Sequence, residues 1–130
     1  MTRILIVDDT DFDRNLLRSI LVSAGYEIAG MAHGGEEGVR LYREMMPDLA
    51  ILDLIMPDLN GIETLRKIKS EYPAAKVMLC TSVGDEGMVE LARRLGARGY
   101  AVKPYQAAHI LKAVERIAGP PGKKSGISWG

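Results

Sequence analysis

The chain has 130 residues, 47% of them hydrophobic and 26% charged, enough for one domain to bury a core without disulfides or structural metal. That composition excludes disorder as the main state, and a net charge of zero excludes a global pull toward nucleic acid or membrane. The single cysteine, Cys80, excludes an intramolecular disulfide and a multi-cysteine zinc site.

In chain order, Ile4–Val7 reads as a first strand that runs into Asp8-Asp9. Phe12, Leu16, Ile20 and Ala24 form one helical stripe, and Gly25 can end that helix. Glu27–Met31 is the second strand; the next helix carries Val39, Tyr42, Arg43 and Met46 after Glu36-Glu37, with Pro47 as its stop. Leu49–Leu52 is the third strand and leads into Asp53. Asn60 is a good cap for a helix with Ile62, Leu65, Ile68 and Tyr72, stopped by Pro73. The fourth strand, Lys76–Cys80, leads into Thr81-Ser82, and a helix with Met88, Leu91, Ala92 and Leu95 precedes Gly96. The fifth strand, Gly99–Val102, leads into Lys103-Pro104, and a last helix with Ala107, Ile110, Leu111, Val114 and Ile117 precedes Gly119.

Four of the five strands are nearly continuous in apolar character, which suits parallel strands buried on both faces. The expected fold is therefore α/β: a (βα)5 doubly wound, five-stranded parallel sheet, flavodoxin-like in its order 2-1-3-4-5. Residues 1–118 form the domain. Residues 119–130, rich in Gly, Pro and Ser and holding the only tryptophan, Trp129, are expected to be a flexible tail or linker. The apolar stretch at the N-terminus is too short for a signal peptide and no run approaches membrane-spanning length, so a cytoplasmic protein is expected.

Open parallel sheets bind ligands at the carboxyl ends of their strands, near the point where strand order reverses. Asp8, Asp9 and Asp53 would converge there. Three carboxylates repel unless a cation joins them, and oxygen-only ligands favour a hard metal, Mg²⁺ where phosphate chemistry is involved. Lys103 adds a fixed positive charge and Thr81 a hydroxyl donor, completing the parts of a phosphoryl-transfer site. Taken singly, Asp8-Asp9 can cap a helix, Lys103 can be a solvated loop lysine, and Thr81-Ser82 can be loop residues. Asp53 is different, because an acid within an apolar stretch is costly to bury unpaired. Cys80 reads as a small apolar core residue.

Four segments carry a resemblance to a known family: Ile4-Leu-Ile-Val-Asp-Asp9, Asp53-Leu-Ile-Met-Pro-Asp-Leu-Asn-Gly61, Val77-Met-Leu-Cys-Thr-Ser82 and Gly96-Ala-Arg-Gly-Tyr-Ala-Val-Lys-Pro-Tyr105. In order and spacing they resemble the receiver domain of two-component response regulators, above all the stand-alone chemotaxis regulators. The resemblance covers residues 3–118. It implies that Asp53 is the phosphoacceptor for a sensor histidine kinase. It also implies that Asp9 ligates Mg²⁺ with Asp8 assisting, and that the Ile55 carbonyl is a further ligand. Lys103 and Thr81 would contact the phosphoryl group, with help from Ser82. Thr81, Tyr100 and Pro104 would be switch residues, Pro104 following a cis peptide. The implied output is a changed face of helix 4, strand 5 and helix 5, read by a downstream partner such as a flagellar motor switch. The chain would act as a signalling monomer without an enzymatic turnover of its own. Ile55 and Val83, apolar at positions that tune dephosphorylation in the family, imply a long phosphoryl lifetime.

Rival readings fit less well. A haloacid dehalogenase-type phosphatase needs a second Asp two residues after the first, where this chain has Ile55. A flavodoxin phosphate loop would be hydroxyl-rich, whereas Asp8-Asp9-Thr10-Asp11 would repel a flavin phosphate. Gly122-Lys123-Lys124-Ser125 lacks the upstream glycine spacing of a P-loop. The serious alternative is one of context: a receiver belonging to a larger regulator or hybrid kinase, with an output domain beyond residue 130.

Overall fold

The computed structural model describes residues 1–82 and 85–122. Strands β1 (Arg3–Val7), β2 (Glu27–Ala32), β3 (Leu49–Asp53), β4 (Val77–Thr81) and β5 (Gly99–Val102) alternate with helices α1 (Asp11–Ser23), α2 (Gly35–Met45), α3 (Gly61–Glu71), α4 (Glu86–Arg94) and α5 (Ala107–Ala118). All strand pairs are parallel and the order is β2-β1-β3-β4-β5, as the apolar runs and short connections led one to expect.

Side chains alternate across each strand, so β1 feeds two cores. Ile4 and Ile6 pack with Leu17 and Leu21 of α1 and Ile110 and Val114 of α5. Leu5 and Val7 pack with Val39 and Tyr42 of α2, Leu65 and Ile68 of α3 and Ala92 of α4. Both faces of the central strands are thereby covered, which is why β3 and β4 are buried along their whole length.

Local chemistry sets the helix ends. The Asn60 side chain accepts from the Glu63 N–H while Glu63 accepts from the Asn60 N–H, a reciprocal cap that starts α3. α1 ends at Gly25, whose φ of +99° suits a residue without Cβ. There the Gly25 and Tyr26 amides donate to Val22 and Leu21 carbonyls at 3.0 Å each.

The stripe expected on α1 is corrected in part: Ile20 and Ala24 are partly buried and pack against the core, but the fully buried positions are others. Arg14, Leu17 and Leu21 are its buried residues, while Phe12 is 73% exposed. The 12/16/20 series steps by four and drifts round the helix; 14, 17 and 21 keep to one 3.6-residue face. On α2, Val39 and Tyr42 are buried as expected. Arg43 instead pairs on the surface with Glu71, and Met46 is an exposed left-handed cap rather than a core residue.

The first residues of the segment assigned to the tail lie against the domain. The Thr2 amide and hydroxyl donate to the carbonyls of Pro121 and Pro120 at 3.3 and 3.0 Å, and the Tyr26 hydroxyl donates to the Gly119 carbonyl at 3.0 Å. Trp129 lies outside the described residues. No helix among the described residues is long and apolar enough to cross a membrane.

Candidate functional site

Strand register brings the acids together. Val7 pairs with Leu52 and Asp53 with Cys80, so Asp8, Asp53 and the end of β4 meet at the carboxyl edge of the sheet. One carboxylate oxygen each from Asp8, Asp9 and Asp53 lies within 4.8 Å of the others. Asp8 and Asp53 are buried and Asp9 is exposed.

Asp8 divides its oxygens. Oδ1 accepts from the Thr10 amide at 2.9 Å, which orders the turn into α1. Oδ2 lies 3.1 Å from Lys103 Nζ. The helix-start role and the site role of Asp8 therefore coexist. Lys103, at the end of β5, also reaches Asp53 Oδ1 at 3.3 Å and Asp13 Oδ2 at 2.9 Å. Arg14 Nη1 donates to the Asp8 carbonyl at 2.7 Å, and its other arm meets Asp11. Sequence reasoning missed both Asp13 and Arg14. The available signal was their place in the first turn of α1, directly after the Asp8-Asp9 strand end.

The electrostatics follow from this crowding. Burial, and then the charge of Asp8, pushes the Asp53 carboxyl up from 3.8 to about 6, although Lys103 pulls it down. Burial works against the Lys103 ammonium, but its bond to Asp13 and the charges of Asp53 and Asp8 outweigh that and hold it above the ordinary lysine range. One ammonium among four acids leaves negative charge unmet. Oxygen-only donors of that charge suit a hard divalent cation such as Mg²⁺. The remaining thiol, Cys80, is fully buried and pushed up to about 12 by desolvation, in keeping with an apolar packing role.

The loop after β3 is closed by the Gly61 amide, which donates to the Leu54 carbonyl at 2.8 Å. A Cβ at Gly61 would stand 2.6 Å from the Asp53 carbonyl oxygen, so only glycine allows α3 to start this close. The Ile55 side chain is 66% exposed. The Lys103-Pro104 peptide is cis. Thr81 is buried beside the pocket, but its hydroxyl donates to Asp85 Oδ2 at 2.8 Å, with the Ser82 carbonyl at 3.2 Å. The Ser82 side chain is exposed. Tyr100 is 47% exposed on the β5 edge. Val83 lies outside the described residues. Asp85 was also missed: its residue type and place mark it as the cap of α4, and nothing in the sequence assigns its carboxylate to Thr81 instead.

An acidic pocket with a paired lysine, at the carboxyl edge of a 2-1-3-4-5 parallel sheet, is the architecture of a phosphorelay receiver. The family model described as "Response regulator receiver domain" matches residues 4–115, and the chain belongs to that family. The chain is 40% identical over 116 residues to the chemotaxis protein CheY of Thermotoga maritima, covering 89% of this chain and 97% of that protein. It is 44% identical over 119 residues to protein CcdB of Bacillus subtilis, covering 92% and 99%. Among solved structures it is similar to the CheX–CheY–BeF₃–Mg²⁺ complex from Borrelia burgdorferi, with TM-score 0.86, 33% identity and coverage of 88% of this chain and 87% of that one. The chain is thus a CheY-like receiver domain of a two-component phosphorelay, a signalling fold rather than an enzyme family.

Proposed function

We propose that this protein is a phosphorylation-dependent switch that takes a phosphoryl group from a histidine kinase onto Asp53. The supporting observation is the convergence of Asp8, Asp9 and Asp53 with Lys103 Nζ, 3.1 Å from Asp8 and 3.3 Å from Asp53. An ionised Asp53 oxygen attacks phosphorus. The bond from phosphorus to the donor's imidazole nitrogen breaks, the imidazole takes the electron pair, and an acyl phosphate forms. Asp8, Asp9, Asp53 and the Ile55 carbonyl would hold Mg²⁺, which when bound neutralises charge on the phosphoryl oxygens and the carboxylates. Lys103 neutralises a further phosphoryl oxygen, and Thr81 supplies a hydroxyl donor, with Ser82 beside it.

Phosphorylation adds about 1.5 to 2 negative charges and three acceptor oxygens. Drawing Thr81 toward them frees space for Tyr100 to turn inward, which repacks the face built by α4, β5 and α5. That face holds a cavity of about 540 Å³ lined by Leu79, Val89, Ala92, Tyr100 and Ala113, with Arg93, Arg98, Lys112 and Arg116 at its rim. A downstream protein binds there. The likeness to CheY proteins supports a chemotaxis role with a flagellar motor switch as that partner. Pro104 sets the approach of Lys103.

The test is intact mass after incubation with acetyl phosphate, with and without Mg²⁺, beside Asp53→Ala. A single phosphoryl gain that needs both Mg²⁺ and Asp53 is expected. A gain that survives in Asp53→Ala would overturn the reading, as would no gain in the wild type from either acetyl phosphate or a phosphorylated histidine kinase.

A further inference from the structure

Asp85 is the N-cap residue of α4, where an Asp ordinarily accepts from the helix's own first amides. It makes no such bond. Its Oδ2 instead accepts from the Thr81 hydroxyl at 2.8 Å. Thr81, Asp85 and Tyr100 line a common cavity of about 210 Å³ together with Val89 and Val102, the space into which Tyr100 would turn. A hydroxyl carries one proton, so Thr81 cannot donate to Asp85 and to a phosphoryl oxygen at once.

We propose that Asp85 is a positioning residue that holds the Thr81 hydroxyl in its unphosphorylated orientation, so that phosphorylation must break this bond before Thr81 can serve the pocket. The inference rests on Asp53 being the phosphoacceptor. A carboxylate is a stronger acceptor than a neutral oxygen, and this bond is incompatible with Thr81 donating to a phosphoryl oxygen. Asp85 therefore biases the two-state equilibrium toward rest, and the threshold of the switch is written partly at the start of α4.

Beryllofluoride with Mg²⁺, a stand-in for the phosphoryl group, tests this on the full chain by titration followed by NMR. Asp85→Ala should bind it about three- to tenfold more tightly than wild type, since the bond to be broken is gone and its partial exposure limits its worth. Asp85→Asn, whose amide oxygen still accepts, should gain less. In a Thr81→Val background Asp85→Ala should change nothing further, whereas in Thr81→Ser, which keeps the hydroxyl, its effect should persist. A slowly exchanging Thr81 hydroxyl proton should be visible in the resting wild type and lost in Asp85→Ala. If wild type binds in an Asp53-dependent way but Asp85→Ala stays within about twofold, the inference about Asp85 alone is overturned. An Asp85→Ala effect undiminished in Thr81→Val would mean that Asp85 acts through α4 instead, and would overturn it equally. If wild type does not bind, or Asp53→Ala still does, the phosphoacceptor reading fails and this inference falls with it.

Discussion

Replacing Asp53 by Asn should make the metal-free protein more stable at neutral pH. The Asp53 side chain is buried, and its carboxyl is lifted from 3.8 to about 6, by desolvation first and then by Asp8, with Lys103 offsetting only part. At about 1.4 kcal/mol per tenfold change in proton affinity, that displacement corresponds to about 3 kcal/mol of folding stability lost to the ionised form. The sign follows from proton counting. With the folded-state value raised, the folded chain binds more protons than the unfolded one between about pH 4 and pH 6. Stability contributed at this site therefore falls as pH rises through that window and is level above it. Asn has nearly the same volume and no charge, and Lys103 keeps Asp8 and Asp13 as partners. Urea unfolding in EDTA should show a gain of about 1–3 kcal/mol for Asp53→Asn near pH 7, shrinking toward zero near pH 4. Added Mg²⁺ should then stabilise the wild type more than the variant, because it binds the folded acids. A variant no more stable than wild type at pH 7, or a gain that stays constant down to pH 4, would refute the electrostatic account of the pocket.

At low Mg²⁺, phosphorylation by acetyl phosphate should decline as pH falls through about 6, where Asp53 takes up a proton and loses its nucleophilic oxygen; a rate–pH profile checks this. Gly61→Ala would place a Cβ 2.6 Å from the Asp53 carbonyl oxygen and 2.8 Å from Leu54 Cα. It should cost about 1–3 kcal/mol in urea unfolding and weaken Mg²⁺ binding by displacing the Ile55 loop. Asn60→Ala removes the reciprocal cap of α3 and should cost about 1 kcal/mol, read by the same unfolding assay with phosphorylation retained. The exposed, apolar Ile55 cannot orient an attacking water, so the acyl phosphate should outlast seconds and Ile55→Asn should shorten its life several-fold, measured by decay of the phosphorylated mass.

Much of this molecule is legible in the chain because the signals are local or periodic. Apolar runs of strand length, each followed by helical spacing, allow few arrangements other than a parallel sheet with helices on both faces. The acids and the lysine stand directly after strands, so once the sheet order is known their convergence follows from register. The capping pair Asn60 and Glu63 and the turn glycine Gly25 act within a few residues of themselves, and their chemistry shows in the letters.

Other features arise only from distant segments meeting. The 2.9 Å contact of Lys103 with Asp13 spans 90 residues, and no spacing rule announces it. On α1 the covered face centres on Leu17 and Leu21 with Ile20 and Ala24 beside it, and packing against β1 and α5 is what leaves Phe12 outside it. A nearer ambiguity is Asp85, which carries the residue type of a helix cap but whose carboxylate accepts from the Thr81 hydroxyl four residues earlier. The order of elements and the residues at the strand ends were legible in the letters alone, since backbone propensity and apolar periodicity act over a few residues. Which acids Lys103 meets, and with them how far the Asp53 carboxyl is displaced, came only with the packing of the sheet, because Asp8, Asp13 and Asp53 stand far from Lys103 along the chain and reach it through strand register.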